Sequence, residues 1–284
     1  MASYRYRIRV VGEYREKTIK NLVCLLEDMS ISIHSKKALK LEDGNILIKW
    51  IEVESDYNLL YNNKFKNFLI KFEEEFCVDI EIKTINRKKN MAIFVSNQGH
   101  CLEEILFRWK NGELDCNIPL VISDYDIYRK YVESYGIKFY NLKVNKHDKK
   151  RELIALRILE ENCIDFISLA RYMQILPINL VNKYINKIIN IHHSLLPAFI
   201  GANTYQRAFD RGVKVIGSTT HYVTDKLDEG PILIQKSANI EEGSSVKDYK
   251  NLIRITETEN LFMAIKYHID DKVFVYNNKA ILLK

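Results

Sequence analysis

Apolar positions recur with two different periods along this chain, and the order in which those periods change divides it. From Tyr4 to Val11 bulky and polar residues alternate as in a half-buried strand, and from Thr18 to Met29 the residues Ile19, Leu22, Val23, Leu25 and Leu26 fall at helical spacing. Ile31 to Leu41 and Ile46 to Val53 return to a strand pattern on either side of Glu42-Asp43-Gly44-Asn45, whose Asp-Gly pair is a strong hairpin signal. A helix from Leu59 to Phe72 and a strand from Val78 to Ile85 complete the order β-α-β-β-α-β. That order is the ferredoxin-like α+β arrangement, which hosts many functions and says little about role.

A short basic stretch, Asn86-Arg87-Lys88-Lys89-Asn90, then separates two differently patterned halves, so the expected domains are 1–86 and 87–284. Downstream, short runs rich in β-branched residues (Met91 to Val95, Ile118 to Ile122, Ile137 to Tyr140, Ile164 to Leu169 and Lys187 to Ile191) alternate with helical stretches such as Cys101 to Trp109 and Arg151 to Glu160. Such alternation predicts an α/β domain, a Rossmann-like, mostly parallel sheet wrapped by helices, with ligands gathering at the carboxyl ends of its strands. A long helix from Val246 to His268 and a hairpin of Val273 to Tyr276 with Lys279 to Leu283 end the pattern.

Composition narrows the picture further. The 284 residues are 47% hydrophobic, enough for real cores, and carry 43 basic against 37 acidic side chains. A net charge of +6 spread along the chain suits an anionic small molecule at least as well as nucleic acid, whose non-specific binders usually concentrate charge on one face, and no nucleic-acid partner is expected. Five cysteines without a Cys-x-x-Cys spacing are expected as reduced thiols in a cytoplasmic protein. No apolar run is long enough for a bilayer and no export signal is indicated, so no membrane partner is expected.

The chemistry concentrates in Asn190-Ile191-His192-His193-Ser194-Leu195-Leu196-Pro197, followed by His221 and by Asp228-Glu229-Gly230-Pro231. Asn190 and His192 project to one face of a strand and offer hydrogen-bond donors to an oxygen that gains charge, while Asp228 can take a proton or fix a water or amine. That is equipment for moving or hydrolysing a small acyl group. Taken singly, an Asn-x-His is more often structural and an Asp before Glu-Gly is usually a turn residue, so spacing alone does not carry the case. Ligand spacing for a metal is lacking. Cys101 has no base placed for it as a nucleophile.

The segment from Asn190 to Gly201, with Gly217 to Gln235, resembles the signature of the folate-dependent formyltransferase superfamily. His193, with the segments Asn145 to Asp148, Ala170 to Leu176, Arg211 to Gly217 and Lys272 to Tyr276, is similar to its formyltetrahydrofolate deformylase branch. The resemblance implies hydrolysis of 10-formyltetrahydrofolate, as substrate and not cofactor, to tetrahydrofolate and formate, a step of one-carbon metabolism that supplies formate for purine synthesis. It implies an N-terminal ACT domain, no cofactor, and a homo-oligomer, dimer or tetramer. By the same resemblance Asn190 and His192 polarise the formyl carbonyl. Asp228 orients water, accepts its proton and helps return one to N10. The folate head lies against Leu169, Gln174, Ile175, Leu176, Val223, Thr224 and Asp225, with His221 bracing Asp228 or the folate loop. His193 is expected on the opposite strand face, and Ser194 as a hydrogen-bond partner of its own loop.

Two departures from the family pattern stand out. Gln174 occupies a position where the resemblance leads one to expect Arg, which implies weaker folate binding if that side chain matters. In the N-terminal half, Gly12 to Lys17 lacks the Asp-x-x-Gly turn with which ACT domains often bind amino acids, so subunit assembly is the expected role. The turn Ser96 to Cys101 has one glycine and an intrusive imidazole, a poor backbone cradle for the phosphate of an amine acceptor, which favours water as nucleophile. The alternatives are a formyltransferase acting on an amino sugar nucleotide or on methionyl-tRNA, and a catalytically silent folate or amino-acid sensor. The tRNA enzymes carry their domains in the reverse order, and a pure binder has no need of Asn190, His192 and Asp228 together.

Overall fold

Burial and backbone pairing in the computed structural model describe residues 3–13, 15–41, 45–85, 87–142, 149–199 and 204–283. The expected turn at Asp43-Gly44, Tyr14, Asn86, the segment 145–148 and Gly201 lie outside the described residues. Backbone contacts divide the chain into two compact units, Met1–Lys88 with Leu283–Lys284, and Lys89–Leu282.

In the first unit the elements are β1 (Tyr4–Glu13), α1 (Glu16–Asp28), β2 (Ser32–Leu41), β3 (Ile46–Ser55), α2 (Asn63–Phe76) and β4 (Val78–Thr84). The strands form one antiparallel sheet in the order β2-β3-β1-β4. Alternation fills one face: Tyr6, Ile8 and Val10 of β1 and Ile51 and Val53 of β3 are buried with Leu22 and Leu26 of α1 and Phe65, Phe72 and Phe76 of α2. The helix expected from Leu59 to Phe72 is interrupted. Asn58 accepts a hydrogen bond from the Leu60 amide at 3.0 Å and Asn62 from the Phe65 amide at 2.9 Å, so one 3₁₀ turn, Leu59–Tyr61, precedes α2 and the helix proper starts four residues late.

The second unit contains β5 (Lys89–Val95), α3 (His100–Lys110), β6 (Cys116–Ser123), α4 (Arg129–Glu133), β7 (Lys138–Asn141), α5 (Lys149–Glu161), β8 (Phe166–Leu169), α6 (Ile178–Lys183), β9 (Ile188–His192), α7 (Thr204–Asp210), β10 (Val215–Tyr222), β11 (Ile232–Asn239), α8 (Val246–Ile269), β12 (Val273–Tyr276) and β13 (Lys279–Leu282). Seven strands form one sheet in the order β11-β10-β9-β8-β5-β6-β7, parallel from β9 to β7 and antiparallel at β10 and β11. Both faces are covered, as a parallel sheet requires. Met91, Ile93 and Val95 pack with Leu102, Ile105, Leu261 and Ile265 of α3 and α8, whereas Ala92 and Phe94 pack with Ile158, Leu159, Leu180 and Val181 of α5 and α6.

The chain runs from β5 outward to β6 and β7, then crosses back to place β8 on the other side of β5. Strand order reverses there, and a cavity opens beyond the carboxyl ends of the neighbouring β8 and β9. Two strands, β10 and β11, exceed the pattern read above. Val215–Tyr222 is dominated by Gly, Ser, Thr and His, yet seven of its eight residues are buried. Its hydroxyls are satisfied internally: the Asn260 side chain on α8 donates to Ser218 O at 3.0 Å and accepts from Thr220 Oγ1 at 3.0 Å.

Candidate active site

Strand register brings the chemical groups together. Asn190 of β9 lies opposite His221 of β10, and His192 lies opposite Thr219. Facing residues of an antiparallel pair share a side of the sheet, so Asn190 Nδ2 comes within 3.1 Å of His221 Nε2. His221 Nδ1 is 2.9 Å from Tyr222 O and donates to it, and in the singly protonated tautomer Nε2 accepts from the Asn190 amide group. One Asn190 N–H is then spent and one remains. Thr219 closes the turn after β9. Its hydroxyl donates to Ser194 O at 2.7 Å and accepts from the Leu196 amide at 2.9 Å, while Ser194 Oγ donates to Ala198 O at 2.7 Å, the loop contact expected of it.

Asp228 enters from the connection between β10 and β11. A register shift between Thr220 and His221 marks a bulge at the start of that connection. Gly230 lies so close to Tyr222 that a Cβ there would stand 1.8 Å from Tyr222 O, and only glycine admits the approach. Asp228 itself is left-handed, with φ +58°, a conformation an Asp tolerates better than most residues. Its Oδ2 is 3.4 Å from His192 Nδ1 and its Oδ1 is 3.6 Å from His221 Nε2, with about 10% of the side chain exposed. Burial alone raises a carboxyl pKa, but hydrogen bonding from His192 and the positive charge that the imidazoles of His192 and His221 carry when protonated outweigh it and hold Asp228 well below the usual carboxylate range. The group is ionised. His192 Nε2 is buried and has no partner among the described residues.

These groups line a cavity of about 310 Å³, and every residue expected at the site is in its wall: Asn190, His192 and Asp228, with Leu169, Gln174, Ile175, Leu176, His221, Val223, Thr224 and Asp225. Gln174 is held in place, its Nε2 donating to Asp124 Oδ2 at 2.9 Å, while Asp124 Oδ1 accepts from Ser96 Oγ at 2.8 Å. Ile175 is 81% exposed and Leu227 61%, so apolar surface faces water at the mouth, as suits an aromatic ligand. The pattern did not single out Ile178 and Val181, whose i, i+3 spacing on α6 sets both on one wall, nor Arg171.

His193 departs from expectation. β9 ends at His192 and the chain bends, so alternation stops and the His193 ring packs against that of His192 instead of facing away. The ring centroids are 5.1 Å apart, and both residues line the same cavity. Beneath His193 lies a buried polar cluster. Tyr205 packs its ring 5.3 Å from His193 and accepts from Arg171 Nη2 at 3.1 Å, Gln98 accepts from the same nitrogen at 3.2 Å, and Arg171 Nη1 is 3.0 Å from the fully buried Glu257. His100 Nε2 meets Glu257 at 2.6 Å. Burial, with Arg171 and then His192 as positive neighbours, lowers His193 to about 3, so its ring is neutral.

His100, Cys101 and Glu257 present donor atoms within 4.8 Å of one another, but the Arg171 guanidinium already supplies the cation there. Cys101 is buried, and burial, with Glu257 nearby, raises its thiol pKa, the opposite of a nucleophile's tuning. The turn between β5 and α3 is filled by the protein itself: Tyr128 stands so close to Gly99 that a Cβ there would be 2.3 Å from the ring, and its hydroxyl donates to Asn97 O at 3.3 Å.

The chain is similar to known proteins over most of its length. The family model described as Formyl transferase matches residues 89–265. The formyltetrahydrofolate deformylase of Bacillus subtilis is 44% identical over 210 residues, 74% of this chain and 70% of that protein. The crystal structure of a formyltetrahydrofolate deformylase from Pseudomonas syringae superposes with a TM-score of 0.92 at 31% identity, covering 100% of this chain and 95% of that one. A glycinamide ribonucleotide transformylase from Symbiobacterium toebii matches 71% of this chain and 97% of its own, with a TM-score of 0.67 at 27% identity.

Proposed function

We propose, from the premise that the chain belongs to the formyltetrahydrofolate deformylase family, that it hydrolyses 10-formyltetrahydrofolate to tetrahydrofolate and formate at the cavity beyond β9. The observation that carries the assignment of residues is the meeting of Asn190, His192 and His221 with one ionised carboxylate, Asp228, at the wall of that cavity.

Leu169, Ile175, Leu176 and Val223 cover the faces of the folate rings, and Gln174, Thr224 and Asp225 meet their polar edge. The formyl oxygen lies between the unspent N–H of Asn190 and Nε2 of His192. With Nδ1 turned to Asp228, His192 donates from Nε2 when doubly protonated, and the carboxylate balances that charge. Water adds to the formyl carbon, and the C–N bond breaks with its electron pair returning to N10. One water proton ends on N10; the other leaves as formic acid ionises. A carboxylate held so low is a weak base, so Asp228 aligns the water and relays its proton without retaining it. His221 braces both Asn190 and Asp228. Water is the acceptor because Tyr128 and His100 occupy the turn where an anionic amine would need exposed backbone amides.

The reaction uses no metal or organic cofactor. Purified protein given 10-formyltetrahydrofolate, a chelator and no amine is expected to release formate and tetrahydrofolate in equal amounts. Formate that appears only after an amine or a metal is added would overturn this reading. The N-terminal unit acts as an ACT-type domain in subunit assembly, supported by its β2-β3-β1-β4 order. Sedimentation of the intact chain as a monomer at micromolar concentration would count against that part.

A further inference from the structure

We infer that His193 is the residue that holds the hydrolytic water, one O–H of the water bonded to a bare His193 ring nitrogen and the other facing Asp228. The proposal rests on the deformylase reading above and adds to it a residue for the nucleophile.

The polar groups nearest the formyl oxygen are largely engaged with one another. Asp228 has one oxygen toward His192 and the other toward His221, Asn190 gives one N–H to His221, and His192 turns Nδ1 to the carboxylate. Their remaining donors serve the formyl oxygen. A water attacking from beside them needs an acceptor, since it must be held by its hydrogens with its lone pair toward carbon. His193 has that capacity left over beside His192: it lines the cavity, among the described residues no hydrogen bond reaches its ring, and Thr204 bonds only its backbone oxygen, at 3.2 Å.

Two features fix the ring for the task. It is clamped between His192 and Tyr205, with interplanar angles of 34° and 41°, so its nitrogens hold one direction. Arg171, tied to Glu257, Gln98 and Tyr205, sets a buried positive charge beside it, which opposes a second proton and keeps a lone pair exposed. So weakly basic a ring accepts a hydrogen bond without keeping the proton, which leaves the balance of the reaction unchanged.

Two variants separate water-holding from packing. His193→Phe keeps a ring between His192 and Tyr205 but has no acceptor; His193→Gln loses the ring and keeps an acceptor. The expected result is a kcat for formate release at least about 100-fold lower in the Phe variant, with KM within about threefold, while the Gln variant stays within about tenfold of the parent protein. Should Phe not fold, His193→Leu, equally without an acceptor, carries the same expectation. A Gln variant as impaired as the Phe variant, a Phe variant with unchanged kcat, or a loss confined to KM overturns the inference. A parent protein that releases no formate overturns the deformylase reading instead.

Discussion

The two neighbouring histidines at the end of β9 have different electrical environments, and the difference is measurable. His192 faces Asp228 at 3.4 Å, whereas His193 is buried beside Arg171 and His192 and is pulled down to about 3. In the unfolded chain a histidine titrates near about 6.5. Between those values the unfolded state binds a proton that the folded state refuses, so stability falls as pH falls, by about 2 kcal/mol from this group between pH 7 and pH 5. Asp228 acts with the same sign in a lower window. Its folded pKa is depressed, so it contributes stability above about pH 4 and loses it only as pH drops through the folded value, outside that window. Urea unfolding at pH 7 and pH 5 should therefore show the parent protein losing about 2 kcal/mol more than His193→Gln. Equal losses would mean that His193 is not held neutral. Asn190, His192 and Asp228 were legible in the sequence because their chemistry is carried by short contiguous segments. Arg171 and Glu257 were not, because neither position reveals that a loop after β8 and the middle of α8 meet in the interior.

At the scale of elements, the site depends on how β10 hands the chain to β11. The connection holds Asp228 in a left-handed conformation two residues before Gly230, whose close approach to Tyr222 leaves no room for a side chain. Gly230→Ala must push that connection away. It is expected to cost about 1 to 3 kcal/mol of stability and, by moving Asp228 as little as about 1 Å, to lower kcat by about 100-fold. Thermal unfolding and formate release test the two effects together; a variant with full activity would show that Asp228 keeps its place without the glycine. Aliphatic strands such as β5 and β9 are visible in the hydrophobic pattern. β10 is not, since five of its seven buried positions are Gly, Ser, Thr and His, and Asn260 on another element bonds Ser218 and Thr220 among them. The Leu59 helix failed for a local reason: Asn58 and Asn62 capture backbone amides that a continuous helix needs.

At the scale of the molecule, the sheet's strand order decides where chemistry can occur. Alternating strands and helices predicted a parallel sheet and a site at its carboxyl edge, and the cavity lies on that edge at β8 and β9, next to the reversal of order between β5 and β8. Beside it the protein builds a largely apolar cavity lined by Asn190, His192 and the buried carboxylate of Asp228, while its own side chains close the neighbouring turn. We propose that Asp228 aligns and activates the water that takes the formyl group. The most direct test of that role is single-turnover formate release by Asp228→Asn, which preserves shape and removes the charge, under saturating 10-formyltetrahydrofolate. The expected result is a rate at least about 1,000-fold below the parent protein, with folate affinity and unfolding temperature close to it. An Asn variant that releases formate within about tenfold of the parent rate would contradict the account.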